Sequence, residues 1–376
     1  MDILPPLLPP TFAPWQPASP ERAVAVLMSG GVDSSVAALL LREAGYDVCG
    51  FTMQIPIPPA CRSDVCCGEE AAFVCASLGI PHYFIDTRAA FAEKVIAPFQ
   101  RDYACGRTPS PCVICNAALK FNLVWRTIEE RFGPVLLATG HYARLAAING
   151  KPALLRGRSL QQDQSYFLYG VQARRLPRLI FPMGDLSKEE ARALASRHRL
   201  TVAARPKSME LCFAGQGDYR LALGEAGTTP AGDILDEEGR VIGRHNGIHH
   251  YTIGQRHGIG IARPYPLYVM RIIAKRAAVV VGRRESAMAR RVSACCLNLL
   301  AAEDMAPGRK ALGKIRSSSD PAPCEITVCN GERLEVVFDQ PVFAPAPGQH
   351  LVLYNGERVL GGGLICGSDL DEKFAW

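Results

Sequence analysis

Residues 23–44 constrain what this chain can fold into more than any other stretch. Residues 23–28 form a short apolar run carrying Val24 and Val26, the pattern of a strand buried in a parallel sheet. Ser29-Gly30-Gly31 breaks that run. Asp33 then opens a helical pattern over residues 36–44, closed by Gly45 as a C-cap. A strand that delivers the chain into a glycine loop and then a helix is the opening unit of an open α/β sheet, whose ligands sit at the strand C-termini. Further strands are predicted at residues 48–53, 82–85 and 135–139. Helices are predicted at residues 69–78, closed by Gly79, and at 122–131. Residues 187–198 form a last clear helix, with Ser187 as N-cap and Glu190 completing a capping box.

After Cys212 the pattern changes to short β-like runs between glycine turns: residues 241–242, 268–273, 278–281, 311–315, 334–338 and 350–354. This reads as a small linking domain followed by a β-barrel. The 376 residues suit two or three domains, and 48% hydrophobic with 21% charged residues is a globular composition. We expect a disordered proline-rich tail over residues 1–20, a catalytic domain over 21–211, a central linking domain over 212–278 and a barrel over 279–376. The net charge of +6 permits a polyanionic partner without requiring one. The tail lacks the features of a signal or transit peptide, and no stretch has the apolar length of a membrane helix. A cytoplasmic location follows as the expectation, so the fourteen cysteines are read as thiols, ligands or catalysts and not as a disulfide framework.

The loop Ser29-Gly30-Gly31-Val32-Asp33-Ser34-Ser35 has the composition of a phosphate cradle. Its glycines let successive N–H groups point at an anion, the helix N-terminus adds partial positive charge, and three hydroxyls can add hydrogen bonds. No Walker lysine follows, which disfavours a conventional P-loop NTPase. The heptad resembles the loop of the PP-loop ATP pyrophosphatases, which cleave ATP to AMP and pyrophosphate.

Two cysteine segments choose within that superfamily. Residues 106–116 form a proline-pinned loop, Gly106 to Asn116, holding Cys112 and Cys115 and running into a helix with Lys120. A thiol at a helix start near a lysine is expected to ionise more easily. Cys212 lies where the α/β part gives way to the β part, after Lys207-Ser208-Met209-Glu210-Leu211.

With these segments the sequence is similar to the bacterial tRNA-specific 2-thiouridylases over residues 23–363. The resemblance rests on the loop Ser29 to Ser35, residues 106–121, Thr139-Gly140-His141-Tyr142, residues 163–168, residues 248–256, Pro347-Gly348-Gln349 and residues 359–363. It implies ATP-dependent 2-thiolation of the wobble uridine of tRNA by a catalytic ATP domain, a small central domain and a tRNA-gripping barrel. It implies Cys115 as nucleophile and Cys212 as persulfide carrier, with a transient disulfide between them. Met28, Ser29, Gly30, Gly31, Val32, Asp33, Ser34, Ser35, Met53 and Gly140 correspond to the ATP site. His141, Gln162, Asp163, Gln164, Arg316, Ser317 and Gln349 correspond to tRNA contacts, and Ser110, Pro111 and Cys112 to the segment that meets the target base. Three positions depart from the family pattern: Cys112 stands where an aspartate is usual, Gln162 where a lysine is usual, and Ser317 where a tyrosine is usual.

The implied partners are the anticodon stem-loop of tRNA and a persulfide donor protein or hydrosulfide, with no membrane. ATP and Mg²⁺ are the implied cofactors, with Asp33 weighed both as an ion ligand and as a helix cap. The C-x-x-C spacing of Cys112 and Cys115, with Cys212, also raises a [4Fe–4S] cluster, against a zinc site, which needs a fourth ligand not identified in the sequence, and against no metal, with Cys112 replacing the usual aspartate, since C-x-x-C fits a redox pair as well. His245, His249, His250 and His257 read as structural or RNA-proximal, and the pairs Cys66-Cys67 and Cys295-Cys296 read as buried thiols, Cys61 with Cys66 and Cys67 keeping a metal reading open. Two rival functions remain at this point: a PP-loop synthetase or amidotransferase acting on a small molecule, and a non-enzymatic RNA-binding iron–sulfur protein.

Overall fold

The computed structural model describes residues 3–56, 67–204, 211–214 and 218–373. The chain divides into two compact units, one formed by Met1–Val95 with Cys112–Gly217, the other by Ile96–Pro111 with Asp218–Trp376. Residues 61, 66 and 207–210, and the side chain of Cys67, lie outside the description, and with them the metal reading of Cys61, Cys66 and Cys67.

The first unit is built on a six-stranded sheet of β1 (Leu7–Pro10), β2 (Ala23–Leu27), β3 (Asp47–Gln54), β4 (His82–Asp86), β5 (Leu136–Thr139) and β8 (Leu179–Ile180), in the order β1-β4-β3-β2-β5-β8. β2 pairs in parallel with both β3 and β5, and β3 pairs in parallel with β4. Every residue of β2 is buried, which is why its sequence is a continuous apolar run and not an alternating one. Helix α1 (Val32–Glu43) follows β2, and α2 (Cys67–Ser77) follows β3. Gly45 and Gly79 adopt φ of 78° and 65° after these helices, the left-handed turn that a side chain would strain. The helix Lys188–Arg197 carries the expected capping box on Ser187 and Glu190. A hairpin of β6 (Ala143–Ile148) and β7 (Lys151–Arg156) follows β5.

The proline-rich tail is a correction. Leu7–Pro10 forms an antiparallel edge strand on β4. Trp15 is 4% exposed, its ring 5.9 Å from Phe51 and 5.1 Å from Phe132, with Nε1 donating to Asp47 Oδ1 at 2.8 Å. A single tryptophan meeting several rings, at roughly 0.5–1.5 kcal/mol per aromatic pair beyond its area burial, anchors a segment whose composition alone reads as disordered.

The second correction concerns the predicted helix at residues 122–131. The helical run begins earlier: α-helical over Pro111–Ile114, π-helical over Cys115–Val124, then α-helical over Trp125–Phe132. A ten-residue π segment is long for a geometry that usually appears as a single turn and that concentrates at functional sites.

The second unit is all-β apart from short helices. β9 (Gly232–Leu235), β10 (Val241–His245), β11 (Tyr268–Ile273) and β12 (Ala278–Gly282) form one sheet in the order β10-β9-β12-β11. β13 (Met288–Leu299), β14 (Lys310–Lys314), β15 (Ala322–Cys329), β16 (Arg333–Phe343), β17 (His350–Asn355) and β18 (Arg358–Ser368) follow in the order β13-β16-β15-β14-β17-β18, and β13 pairs with β18 to close a six-stranded barrel. Closure leaves these six strands without a free edge between first and last. The barrel is filled by Val292, Leu334, Val336, Phe338, Leu351 and Leu353, all fully buried.

Candidate active site

The phosphate loop sits where β2 ends and α1 begins. Gly30 adopts φ of 71°, and Gly31 is the N-cap of α1, with no side chain capping the helix. The Ser34 and Ser35 hydroxyls donate back to the Gly31 carbonyl at 3.2 and 2.9 Å, and Ser29 N donates to Ser34 Oγ at 3.2 Å. These hydroxyls shape the loop from within, while Ser29 is exposed. Gly140, just after β5, packs on the first turn of α1. A Cβ there would lie 2.6 Å from Ser34 N and 2.7 Å from the Asp33 carbonyl carbon, both backbone atoms. Met28 is buried at the end of β2, and its carbonyl accepts the Thr52 hydroxyl one residue before Met53.

Asp33 is neither the helix cap nor an open ion ligand. Lys188 Nζ lies 2.6 and 2.8 Å from its two oxygens, and the Tyr142 hydroxyl donates to Oδ1 at 2.8 Å. Burial, then the Asp33 carboxylate, holds the Tyr142 phenol well above its ordinary range, so it stays a donor. Lys188 stands in the first turn of its helix, the end where a cation is disfavoured by the helix dipole. Its ion pair with Asp33 offsets that placement. The sequence reading missed Lys188, because within Ser187-Lys188-Glu189-Glu190 only the capping box is legible.

The three thiols come together in the same unit as the loop. Cys212 interacts electrostatically with both Cys115 and Cys112, and Lys120 acts on all three. The π turn explains the lysine's position: its i→i+5 bonding aligns residues five apart, such as Cys115 and Lys120. Cys115 is buried, whereas Cys112 and Cys212 keep exposed faces. The expected easy ionisation of Cys115 is corrected here. Desolvation by the surrounding protein raises its thiol above the usual range, with Lys120 opposing and Cys112 adding to the rise. Desolvation, with Cys115 second, pushes Cys212 up to about 12. Among the described residues no group of three or more His, Cys, Asp or Glu is arranged to hold a metal ion.

Next to Cys115, Asn116 is 2% exposed; its Nδ2 donates to the Phe167 carbonyl at 3.0 Å, while its buried Oδ1 has no hydrogen-bond partner among the described residues. His141 accepts or donates at Thr139 Oγ1 across 2.7 Å. Burial first, then Lys120, holds His141 well below the ordinary histidine range, so it is neutral. Gly140 and His141 thus connect the two parts of the site, one touching the helix N-terminus and the other feeling the lysine that faces the thiols.

Several residues matched to tRNA contacts are engaged inside the protein. The Asp163 carboxylate is 0% exposed and is held by Arg156 Nε, Gly157 N, Ser165 N and Ser165 Oγ at 3.0–3.1 Å, so it organises its loop and does not face a ligand. Gln164 Oε1 accepts Tyr142 N at 2.9 Å, while Gln162 is half-buried. In the second unit, Arg316 Nη2 donates to the carbonyls of Ile253 and Ala344, leaving Ser317 exposed beside it. Gln349 Nε2 donates to the Thr108 and Pro109 carbonyls at 2.9 and 3.3 Å, tethering the segment that leads to Ser110 and Pro111, both buried. His245 and His249 are buried and hydrogen-bonded to backbone and Thr229, as structural histidines are.

Family models match in three consecutive segments: tRNA methyl transferase HUP domain at residues 22–216, tRNA methyl transferase PRC-barrel domain at residues 222–283, and aminomethyltransferase beta-barrel domain at residues 294–365. The chain is 41% identical over 367 residues to the tRNA-specific 2-thiouridylase MnmA of Paramagnetospirillum magneticum, covering 94% of this chain and 97% of that protein. It is 44% identical over 351 residues to the tRNA-specific 2-thiouridylase MnmA of Pelobacter propionicus, covering 91% and 97%. A solved NMN synthetase from Francisella tularensis covers 52% of this chain and 69% of that one at a TM-score of 0.34 and 16% identity, too slight a likeness to argue from. A parallel-sheet unit with a phosphate loop and convergent thiols, a small β sheet, a closed barrel and full-length identity above 40% lead to one assignment: the chain belongs to the tRNA-specific 2-thiouridylase family.

Proposed function

We propose that this chain transfers sulfur to C2 of the wobble uridine of tRNA, at the expense of ATP cleaved to AMP and pyrophosphate. One observation carries the reading: Lys120 acts on Cys112, Cys115, Cys212 and His141 together, and His141 adjoins the glycine that packs on the phosphate-loop helix. Nucleotide chemistry and thiol chemistry then share one neighbourhood.

The loop from Met28 to Ser35 takes the phosphates of ATP, with Gly31 and Gly140 keeping the backbone approachable. Mg²⁺ bound with the phosphates would neutralise charge on the departing pyrophosphate; Asp33 is engaged by Lys188 and is not assigned to it. The uracil 2-oxygen, adenylated, becomes part of a good leaving group. The terminal sulfur of a Cys212 persulfide attacks C2 and AMP departs. Cys115 then attacks the Cys212 sulfur, so the new thiocarbonyl leaves on the base and a Cys115–Cys212 disulfide forms, which two external thiols reduce. Lys120 is the positive charge that favours each thiolate in turn. The wobble base reaches the thiols by leaving its stack, which costs little in a single-stranded loop.

In this reading residues 21–211 catalyse, residues 212–278 link, with their sheet running on to Gly282, and residues 279–376 hold tRNA. Gln162, Ser317 and Cys112 are the matched positions with room for an RNA contact. A tRNA substrate supports a cytoplasmic location, and no described helix is long and apolar enough to cross a membrane. Incubation of the protein with ATP, a persulfide donor and unmodified tRNA, followed by nucleoside digestion, tests the proposal. The expected product is 2-thiouridine together with AMP; pyrophosphate release without tRNA and without thiouridine would favour a small-molecule synthetase instead. Iron and sulfide analysis of the same anaerobic preparation separates a persulfide carrier from a cluster-bound one.

A further inference from the structure

The barrel closes where β13 meets β18, and that seam carries three thiols the proposed chemistry does not use. Ser293 pairs with Gly367, Ala294 with Ile365, and Cys295 with Leu364, so Cys366 is the extra residue of a β-bulge. Ala294 and Ile365 point into the barrel and are buried, which turns Cys295 and Cys366 to the outer face. In a regular ladder these two would be diagonal neighbours, about 7–8 Å apart. The bulge draws them together: the Cys295 thiol is in side-chain hydrogen-bond contact with Cys366 as well as with its sequence neighbour Cys296, and Cys366 Sγ also lies 3.6 Å from the Ser293 carbonyl oxygen. A second register shift follows Cys295, and Cys296 there takes φ of 53°, an unusual conformation for a residue with a side chain. Cys366 and Cys296 are exposed and Cys295 is half-buried, all three as free thiols.

We propose that Cys295 and Cys366 form a redox-responsive dithiol that a low-molecular-weight disulfide oxidises to a cross-strand bond, stapling the barrel at its seam. The exposed Cys366 thiolate attacks one sulfur of the small disulfide and displaces one small thiol. Cys295 then attacks the Cys366 sulfur of the mixed disulfide, the second small thiol leaves, and the Cys295–Cys366 bond forms. Two protein thiols are oxidised and one small disulfide is reduced to two thiols, so no other oxidant is required. Burial, with Cys366 beside it, raises the Cys295 thiol above its usual range, which suits it to the resolving role: it remains a thiol until the mixed disulfide has removed the neighbouring charge. The bond joins strands that are distant in sequence, and locking them limits the unfolded barrel.

The test is titration of the full-length protein with oxidised glutathione, followed by alkylation of free thiols and tryptic mapping without reduction. Residues 292–309 and 359–373 are separate tryptic peptides, so their cross-link is distinct from any bond among Cys112, Cys115 and Cys212. The expected result is a 292–309/359–373 species lighter by two hydrogens than its parts. It should form at a glutathione disulfide concentration roughly ten-fold or more below that which modifies Cys105, because a neighbouring thiol resolves the mixed disulfide intramolecularly. Cys296→Ser keeps the cross-link; Cys295→Ser and Cys366→Ser lose it, and the oxidation-dependent rise in Tm disappears in Cys366→Ser. Glutathione adducts on Cys366 without the cross-link, or a cross-link that survives in Cys295→Ser, would overturn the assignment.

Discussion

Lys188 Nζ lies 2.6 Å from Asp33 Oδ1 and 2.8 Å from Oδ2, joining the first turn of one helix to the first turn of another. Both turns hold partial positive charge, and Asp33 sits at the start of the helix that follows the phosphate loop. Lys188→Met leaves that carboxylate uncompensated beside the position proposed for a polyanion. The pair is partly exposed, so the loss of stability is about 1 kcal/mol. Pyrophosphate release should fall by about ten-fold or more, equivalent to at least ~1.4 kcal/mol of lost interaction with the nucleotide. The double variant Asp33→Asn with Lys188→Met removes the charge as well as its partner and recovers part of the loss. A double variant no better than the single one would show that the pair does not act through charge.

Two glycines separate the nucleotide site from the fold. An alanine Cβ at Gly140 lies 2.6 Å from a backbone nitrogen, so Gly140→Ala must displace the first turn of α1. At Gly31 the same atom meets only Ser29 Oγ at 3.5 Å, and the backbone there has φ of −95°. Gly31→Ala therefore folds with its Tm within a few degrees of wild type, while Gly140→Ala loses about 1–3 kcal/mol, as overpacked sites do. Thermal denaturation checks the contrast. Pyrophosphate release measured on a folded Gly31→Leu protein checks the cradle itself, and an undiminished rate would remove the loop from the nucleotide site.

Thiol chemistry should carry an alkaline dependence. With Cys212 loaded as a persulfide, the thiol that must ionise is Cys115, which burial raises, so its thiolate grows as pH rises through the neutral and mildly alkaline range. Single-turnover thiolation by the persulfide-loaded enzyme is expected to accelerate from pH 7 to 9. Cys115→Ser and Cys212→Ser abolish thiouridine while leaving tRNA binding close to wild type. Lys120→Met removes the charge that opposes the burial penalty and slows transfer by roughly ten-fold, with Lys120→Arg recovering part of it. A flat pH profile with an active Lys120→Met protein would dismiss the lysine's role.

Acid stability has a separate origin. His82 is fully buried in β4, its ring nitrogens 2.8 Å from Thr52 Oγ1 and 3.3 Å from Thr11 Oγ1, and burial lowers it from 6.5 to about 4. The depressed folded value means that this contribution is fully present above pH 6.5 and is lost as pH falls toward 4, where the unfolded chain binds a proton that the native state refuses. The loss is on the order of 3 kcal/mol, with His350 in the barrel adding in the same direction. Urea midpoints at pH 7.0 and 4.5 should differ accordingly, and His82→Gln should narrow the difference.

The strand–loop–helix opening, the parallel sheet and three of the six barrel strands, β14, β16 and β17, were legible in the sequence because buried strands and helix faces have short periods, and glycine marks their ends. β11 at Tyr268–Ile273 lies where its apolar run ends and begins. β1 and Trp15 were not legible, since what orders that proline-rich segment is an aromatic cluster contributed by residues far along the chain. The same holds within the site. Cys112, Cys115, Cys212 and the Ser29–Ser35 loop could be named from composition and spacing. Their ionisation could not, because it depends on how much protein surrounds each sulfur, a property of packing and not of neighbours in sequence. The π turn that aligns Lys120 with Cys115, the Lys188 ion pair on Asp33, and the inward turn of Asp163, Arg316 and Gln349 were likewise decided only in three dimensions. Sequence determines which groups are available within a turn or a strand. Which of them face each other, and which are spent holding the protein together, is decided by contacts between residues that only the folded chain brings within hydrogen-bond distance.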